Sequence, residues 1–346
     1  MHLRQRLTAI TLLILIPVTF AAGQSGWEVL SSGTQQNLQA VQFLNADSGR
    51  ATGQGGTILQ TSDGGQSWNI LPFPFSVDLS ALHFFTGDTG LSGGDGGIYR
   101  TTDGGQNWSA VSTGIPDAIR CLSFAGDYGI AGAASQSLIY SADRGQNWQV
   151  AQSGFFGGGV NGAVMLSSQI GFVGGQNSIF QPLAGKTTDG GANWSFTPFY
   201  LQNNEGAVLD IEFTDENIGY AACRVWDGRG AIARTADGGQ NWTSSFFNAP
   251  LQAMDFPVSN AGMVGYAAGD GGAIYKTTDA GINWILQNSG TTEQITGLHF
   301  LDPDTGYAVG ANGLILKTVS GGEPPIGIGE YLPGNSLPTD FVLYQN

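Results

Sequence analysis

Apolar and polar residues alternate along most of this chain in short runs that break at glycine. Six runs share the form apolar–polar–aromatic: Val41-Gln42-Phe43, Leu82-His83-Phe84, Leu122-Ser123-Phe124, Ile211-Glu212-Phe213, Met254-Asp255-Phe256 and Leu298-His299-Phe300. A glycine a few residues on opens a second run, as in Gly306-Tyr-Ala-Val-Gly310. A glycine-rich turn then leads to a third, as in Ile274-Tyr-Lys-Thr277. Period-two runs divided by Gly and Asn turns predict strands rather than helices. After the third run comes an eight-residue box, Thr101-Thr-Asp-Gly-Gly-Gln-Asn-Trp108 in one copy, whose tryptophan opens a fourth run. Six copies place aspartates at Asp63, Asp103, Asp143, Asp189, Asp237 and Asp279, and tryptophans at Trp68, Trp108, Trp148, Trp194, Trp242 and Trp284. The aspartates lie 40, 40, 46, 48 and 42 residues apart. Four strands per repeat of this length predict the blades of an all-β propeller.

The count predicts seven four-stranded antiparallel blades across residues 24–322. A seventh box, Thr318-Val-Ser-Gly-Gly322, has Ser320 at the aspartate position and no tryptophan after it. The missing tryptophan lies at the other end: Gly26-Trp27-Glu-Val-Leu30 matches the strand that each complete box opens. The N-terminal strand is therefore expected to complete the last blade and close the ring, since an open sheet edge invites aggregation.

Composition narrows the function classes. The 346 residues include 55 glycines, 27 acidic and 12 basic side chains. Aromatics at 11 % argue against a disordered acidic tail, and a net charge of −15 argues against nucleic acid and anionic membranes as partners. Residues 1–23 read as a secretory signal: Arg4 and Arg6, an apolar run from Leu7 to Phe20, then Ala21-Ala22-Gly23. That run is short for a membrane span, and none is expected in the remainder. Cys121 and Cys223 fall in the third and fifth repeats, which are not neighbours, so they read as small core residues. Residues 323–340 form a Pro/Gly-rich linker. The hexapeptide Phe341-Val-Leu-Tyr-Gln-Asn346 resembles the opening of the C-terminal sorting domain of type IX secretion cargo. That resemblance implies a truncated domain over 341–346 and a secreted or outer-surface location.

Within the box, the aspartate suits a turn in which its carboxylate accepts backbone N–H groups, the fifth-position glycine suits positive φ, and the tryptophan returns apolar area to the blade. The box resembles the Asp-box (bacterial neuraminidase) repeat. From alternating strand to (Lys/Arg)-Thr-x-Asp-Gly-Gly-x-x-Trp, the whole unit resembles the photosystem II stability and assembly factor family of seven-bladed propellers over roughly residues 27–322. The resemblance implies a non-enzymatic, protein-binding role. In photosynthetic members an arginine-rich patch holds a new reaction-centre subunit. No residue-by-residue match to that patch is found in this arginine-poor chain.

Candidate chemistry falls into three groups. Asp210, Glu212 and Asp255 are expected near one another on the channel side of blades five and six, as a cation or ligand site or as solvated lining. Arg100, Lys186, Arg234, Lys276 and Lys317 each precede a box, as a partial cationic ring or as charge balance. Phe155, Phe156 and Trp226 head a set of connection aromatics, with Phe73, Phe75, Phe199 and Tyr200, on the face opposite the boxes; these suit a peptide or sugar surface or local packing. The six box aspartates and the seven tryptophans including Trp27 are read as structural. No catalytic set, cofactor motif or metal-ligand spacing stands out. The expectation is a monomeric binding module for an unidentified protein or polysaccharide. The alternatives are a sialidase-like glycoside hydrolase, which requires a carboxylate pair, and a purely structural surface module.

Overall fold

The computed structural model describes residues 25–152, 157–201, 205–257 and 262–323. The signal segment, Phe155 and Phe156, all of the linker except Glu323, and the C-terminal hexapeptide lie outside the described residues. The rest is a ring of seven four-stranded antiparallel sheets. The innermost strands are Leu38–Phe43, Leu79–Phe84, Ile119–Ala125, Val160–Met165, Gly206–Phe213, Leu251–Asp255 and Ile295–Phe300. The seventh sheet closes as expected: Gly26–Leu30 pairs antiparallel with Ile315–Gly322, and Trp27 packs edge-on against Phe300 with ring centroids 5.8 Å apart. No helix among the described residues is long and apolar enough to cross a membrane.

Recurring contacts explain the repeat. In six blades an aromatic at the end of the inner strand faces the glycine that opens the second strand, as Phe43 faces Gly49 and Phe300 faces Gly306; in blade four Met165 takes its place against Gly171. The ring lies against the glycine backbone, so a Cβ there would run into it. A large residue just after that glycine then stacks on the aromatic of the next blade: Tyr307 on Phe43 at 3.6 Å, Phe172 on Phe213 at 3.5 Å, Tyr220 on Phe256 at 4.0 Å and Tyr266 on Phe300 at 3.7 Å. In blade one the position is Arg50, whose guanidinium sits 4.1 Å from the Phe84 ring centre. The box tryptophan meets its own blade's aromatic edge-on, as Trp68 does Phe43. The core is thus a series of clusters shared between neighbouring blades, which is how a ring without a central core stays rigid.

Every inner strand also carries a β-bulge near its start, between Leu38 and Ala40 in blade one and at the matching place in the other six. Bulges bend and re-aim a strand, and here they turn seven strands around one axis. Gly162 and Gly297 stand at two of these bulges. A side chain at either would collide with backbone of the next inner strand.

Candidate functional site

The boxes form a rim on one face. In the second, Thr101 Oγ1 donates to Asp103 Oδ1 at 2.9 Å and accepts from the Gly105 N–H at 2.9 Å. The Asn107 N–H and Nδ2 donate to Asp103 Oδ1 and Oδ2 at 2.9 and 2.7 Å. Trp108 Nε1 closes the turn on the Gly105 carbonyl at 3.0 Å. The other five boxes repeat the Asp-centred bonds. The side chain and backbone of the residue four places on hold Asp63 and Asp103 down at about 2, below the usual carboxylate value. Positive φ occurs at the fourth box position as well as the fifth, so Arg144 (58°) and Ala280 (57°) adopt the left-handed conformation without being glycine. Each aspartate is saturated by its own turn, which makes the rim scaffold.

The basic series is half-buried, and part of it is drawn into contacts between blades. Lys317 Nζ and the Tyr307 hydroxyl both donate to the Gly64 carbonyl in the box of the next blade, at 2.7 and 2.9 Å. Arg234 Nε and the Tyr220 hydroxyl do the same to Ala280 at 2.8 Å each. Lys276 pairs with Glu323 at 3.2 Å beside the seventh, degenerate box. Lys186 lies 5.2 Å from the Phe172 ring centre, and Arg100 is half-buried with its Nε enclosed and unbonded. Lys317 and Arg234, with their tyrosines, thus latch a blade to the next box turn. Sequence reasoning missed the tyrosines and Arg50 of this latch; their signal was the bulky residue after each strand-opening glycine.

The channel expectation is met in part. An axial cavity of about 570 Å³ runs between the inner strands, and Asp210 and Glu212 line it. Asp255 lies close enough for its charge to act on both. Most of the polar series bridges blades instead of meeting solvent. Gln42 binds the Phe84 backbone at both N–H and carbonyl, the Met165 N–H donates to Ser123, the Phe300 N–H donates to Asp255, and His299 Nε2 meets the Phe43 carbonyl at 3.0 Å. Asp210 accepts the Met254 N–H at 2.8 Å and the Ile211 N–H at 2.9 Å. Burial pushes Asp210 and Asp255 up to about 7 and Glu212 well above its ordinary value; the same burial brings His83 and His299 down to about 4. Cys121 and Cys223 are buried free thiols, as expected.

The aromatic set divides. Phe73 and Phe75 pack over blade two against Tyr99 at 5.1 and 4.7 Å, and Phe199 is buried on Trp242 at 4.8 Å. For these three the binding reading is corrected to local packing. Tyr200 and Trp226 stay 63 % and 46 % exposed. They are joined by Ile179 (66 %) and Phe180 (54 %), whose ring meets Trp226 edge-on at 6.3 Å. Beside Trp226 a shallow pocket of about 190 Å³ is edged by Glu205, Val225 and Asp227. Ile179 and Phe180 went unread because their run, Gln-Asn-Ser-Ile-Phe-Gln, belongs to no repeated unit. An apolar pair inside an otherwise polar turn was the available signal.

Comparison with known proteins agrees with this architecture. A family model described as photosynthesis system II assembly factor YCF48 matches residues 20–114. The photosystem II assembly lipoprotein Ycf48 of Synechococcus sp. (strain CC9902) is 31 % identical over 116 residues, 33 % of this chain; the match spans about a third of that relative's length (32 %). Among solved structures, YCF48 bound to D1 peptide superposes with a TM-score of 0.66 at 20 % identity, covering 85 % of this chain and 97 % of that one. An ancestral GH74 enzyme gives 0.66 at 15 % identity, covering 85 % of this chain and 46 % of that chain. The propeller fold is common to all of these. The resemblance read from the repeat is carried in sequence by the N-terminal third of the chain and in fold by nearly the whole ring.

Proposed function

We propose that this chain is an exported, non-enzymatic propeller that binds an extended segment of another protein on the face opposite the boxes. The observation that carries this reading is the exposed pair Phe180 and Trp226, in edge-on contact between blades four and five, with Ile179 and Tyr200 also exposed on connections of blade four. Aromatic side chains presented together on a rigid scaffold are the usual anchors of a protein interface. The other surface candidates are largely engaged: Lys317 and Arg234 latch blades, Lys276 pairs with Glu323, and the box aspartates hold their own turns. The solved YCF48–D1 peptide complex is a precedent for peptide binding by a ring of this fold. Export is read from the signal pattern at 1–23 and the sorting-domain-like hexapeptide at 341–346.

The non-enzymatic reading rests on the channel. Two-carboxylate hydrolysis needs one group free to give a proton and another free to attack or activate water. Asp210 commits both oxygens and Asp255 one oxygen to backbone N–H groups, so neither stands beside Glu212 as an unengaged second carboxylate. The test is selection of a displayed peptide library on the full chain, followed by titration of the enriched peptides. Micromolar binding that weakens at least tenfold in Phe180→Ala/Trp226→Ala is the expected result. Enrichment of no peptide, together with specific hits on a glycan array, would replace the partner by a polysaccharide.

A further inference from the structure

Glu212 is the odd member of the ring of inner-strand polar residues. By the pattern of its neighbours, its carboxylate should take the N–H of Phe256 in the next blade. In that next blade Asp255 follows the pattern and accepts the N–H of Phe300. Among the described residues Glu212 has no hydrogen bond or ion pair, yet it is half-buried in the wall of the axial cavity. An unpartnered buried carboxylate is costly, and more so with two others beside it. The opposite wall carries no acid: Gln42 and Ser123 are bonded to backbone, and His83 stacks on Phe124 at 5.0 Å. The one basic side chain lining the cavity, Arg120, is turned to Asn161 at 2.7 Å.

We propose that the axial cavity is a binding site for an alkylammonium group, with Glu212 as its direct partner and Asp210 and Asp255 supplying the surrounding negative field. A cavity of about 570 Å³ has room for such a chain. No three metal-ligating side chains converge among the described residues, so the donor set suits a diffuse organic cation better than a chelated metal. The ammonium comes from a free polyamine or from a lysine of a docked segment; the chemistry is shared. This inference does not depend on the aromatic face.

The experiment is calorimetric titration of the full chain at 150 mM salt with spermidine, a Gly-Lys-Gly peptide and calcium. Wild type is expected to bind at least one of the two ammonium probes at pH 8. Binding should weaken at pH 5.5, where Asp210, Glu212 and Asp255 take up protons while Cys121 stays a thiol and His83 and His299, which also line the cavity, stay neutral. Glu212→Gln should weaken it at least tenfold. Asp255→Asn, which keeps an oxygen for the Phe300 N–H, should weaken it less. The tighter probe identifies the source of the ammonium. Binding of neither probe, binding indifferent to Glu212→Gln, or calcium binding that displaces the ammonium would overturn the proposal.

Discussion

At the box rim, Asp103 stands at the surface and receives the N–H and side-chain amide of Asn107 and the hydroxyl of Thr101. At the channel wall, Asp210 and Asp255 are enclosed between inner strands, and each accepts a backbone N–H from the following blade. Both sets are aspartates bound to backbone, but their acidities move in opposite directions. The exposed set is dominated by donors and falls to about 2 where its value is large, as at Asp103 and Asp237. The enclosed set is dominated by lost hydration and rises to about 7. One residue type therefore serves as turn punctuation on one face and as a bridge between inner strands on the axis. Burial, rather than the number of hydrogen bonds, decides which.

The largest effect expected from this comparison is at the rim. Trp108→Ala removes a buried indole shared by the Phe73 and Phe84 contacts and should cost about 3–5 kcal/mol in urea denaturation. Glu212→Gln, which removes an unpartnered charge, should leave the midpoint unchanged or raise it. Equal destabilisation by the two would erase the distinction between scaffold and wall.

The pH dependence separates the sets further. The channel aspartates hold protons more tightly in the folded ring than in the unfolded chain, so their ionisation opposes folding. Their share of the stability should fall as pH rises from about 4 to about 7, against a partial gain up to about 6.5 from His83 and His299, which the folded ring keeps neutral. The box aspartates contribute stability that is present above about 4 and lost as pH falls toward 2. Thermal midpoints measured from pH 2 to 8 should peak on the acid side of neutrality. Asp210→Asn/Asp255→Asn should flatten the alkaline limb alone. A midpoint that climbs steadily to pH 7 would contradict the reading of the wall.

A smaller effect is expected at the latches. Tyr307→Phe keeps the stack on Phe43 and loses the bond to Gly64, at a cost of about 1 kcal/mol by denaturation. Binding of a selected peptide should not change in that variant, because the latch lies on the box face.

Much of the fold was legible because it repeats. Six Asp–Trp boxes set the period, and displaced Trp27 announced the closure that pairs Gly26–Leu30 with the last blade. The placement of Asp210 and Glu212 on the axis also came from register, since inner-strand side chains alternate in step around a ring. What the repeats could not convey was contact between blades. A lysine before a box reads as a free charge until the neighbouring turn is seen to offer the Gly64 carbonyl. A polar residue after Leu122 reads as channel lining until Met165 is seen to donate to it. The exposed pair Ile179 and Phe180 was hidden for the opposite reason: it sits in an insertion with no counterpart to reveal it by comparison.

The most direct test of the central claim compares two faces of one folded molecule. A peptide selected on the full chain is titrated against Phe180→Ala/Trp226→Ala and against Gln66→Ala/Gln106→Ala, whose side chains are exposed on the box rim. At matched stability, binding should fall at least tenfold in the aromatic pair and stay at the wild-type value in the rim pair. Loss confined to the rim pair, or no loss in the aromatic pair, would contradict a binding face opposite the boxes.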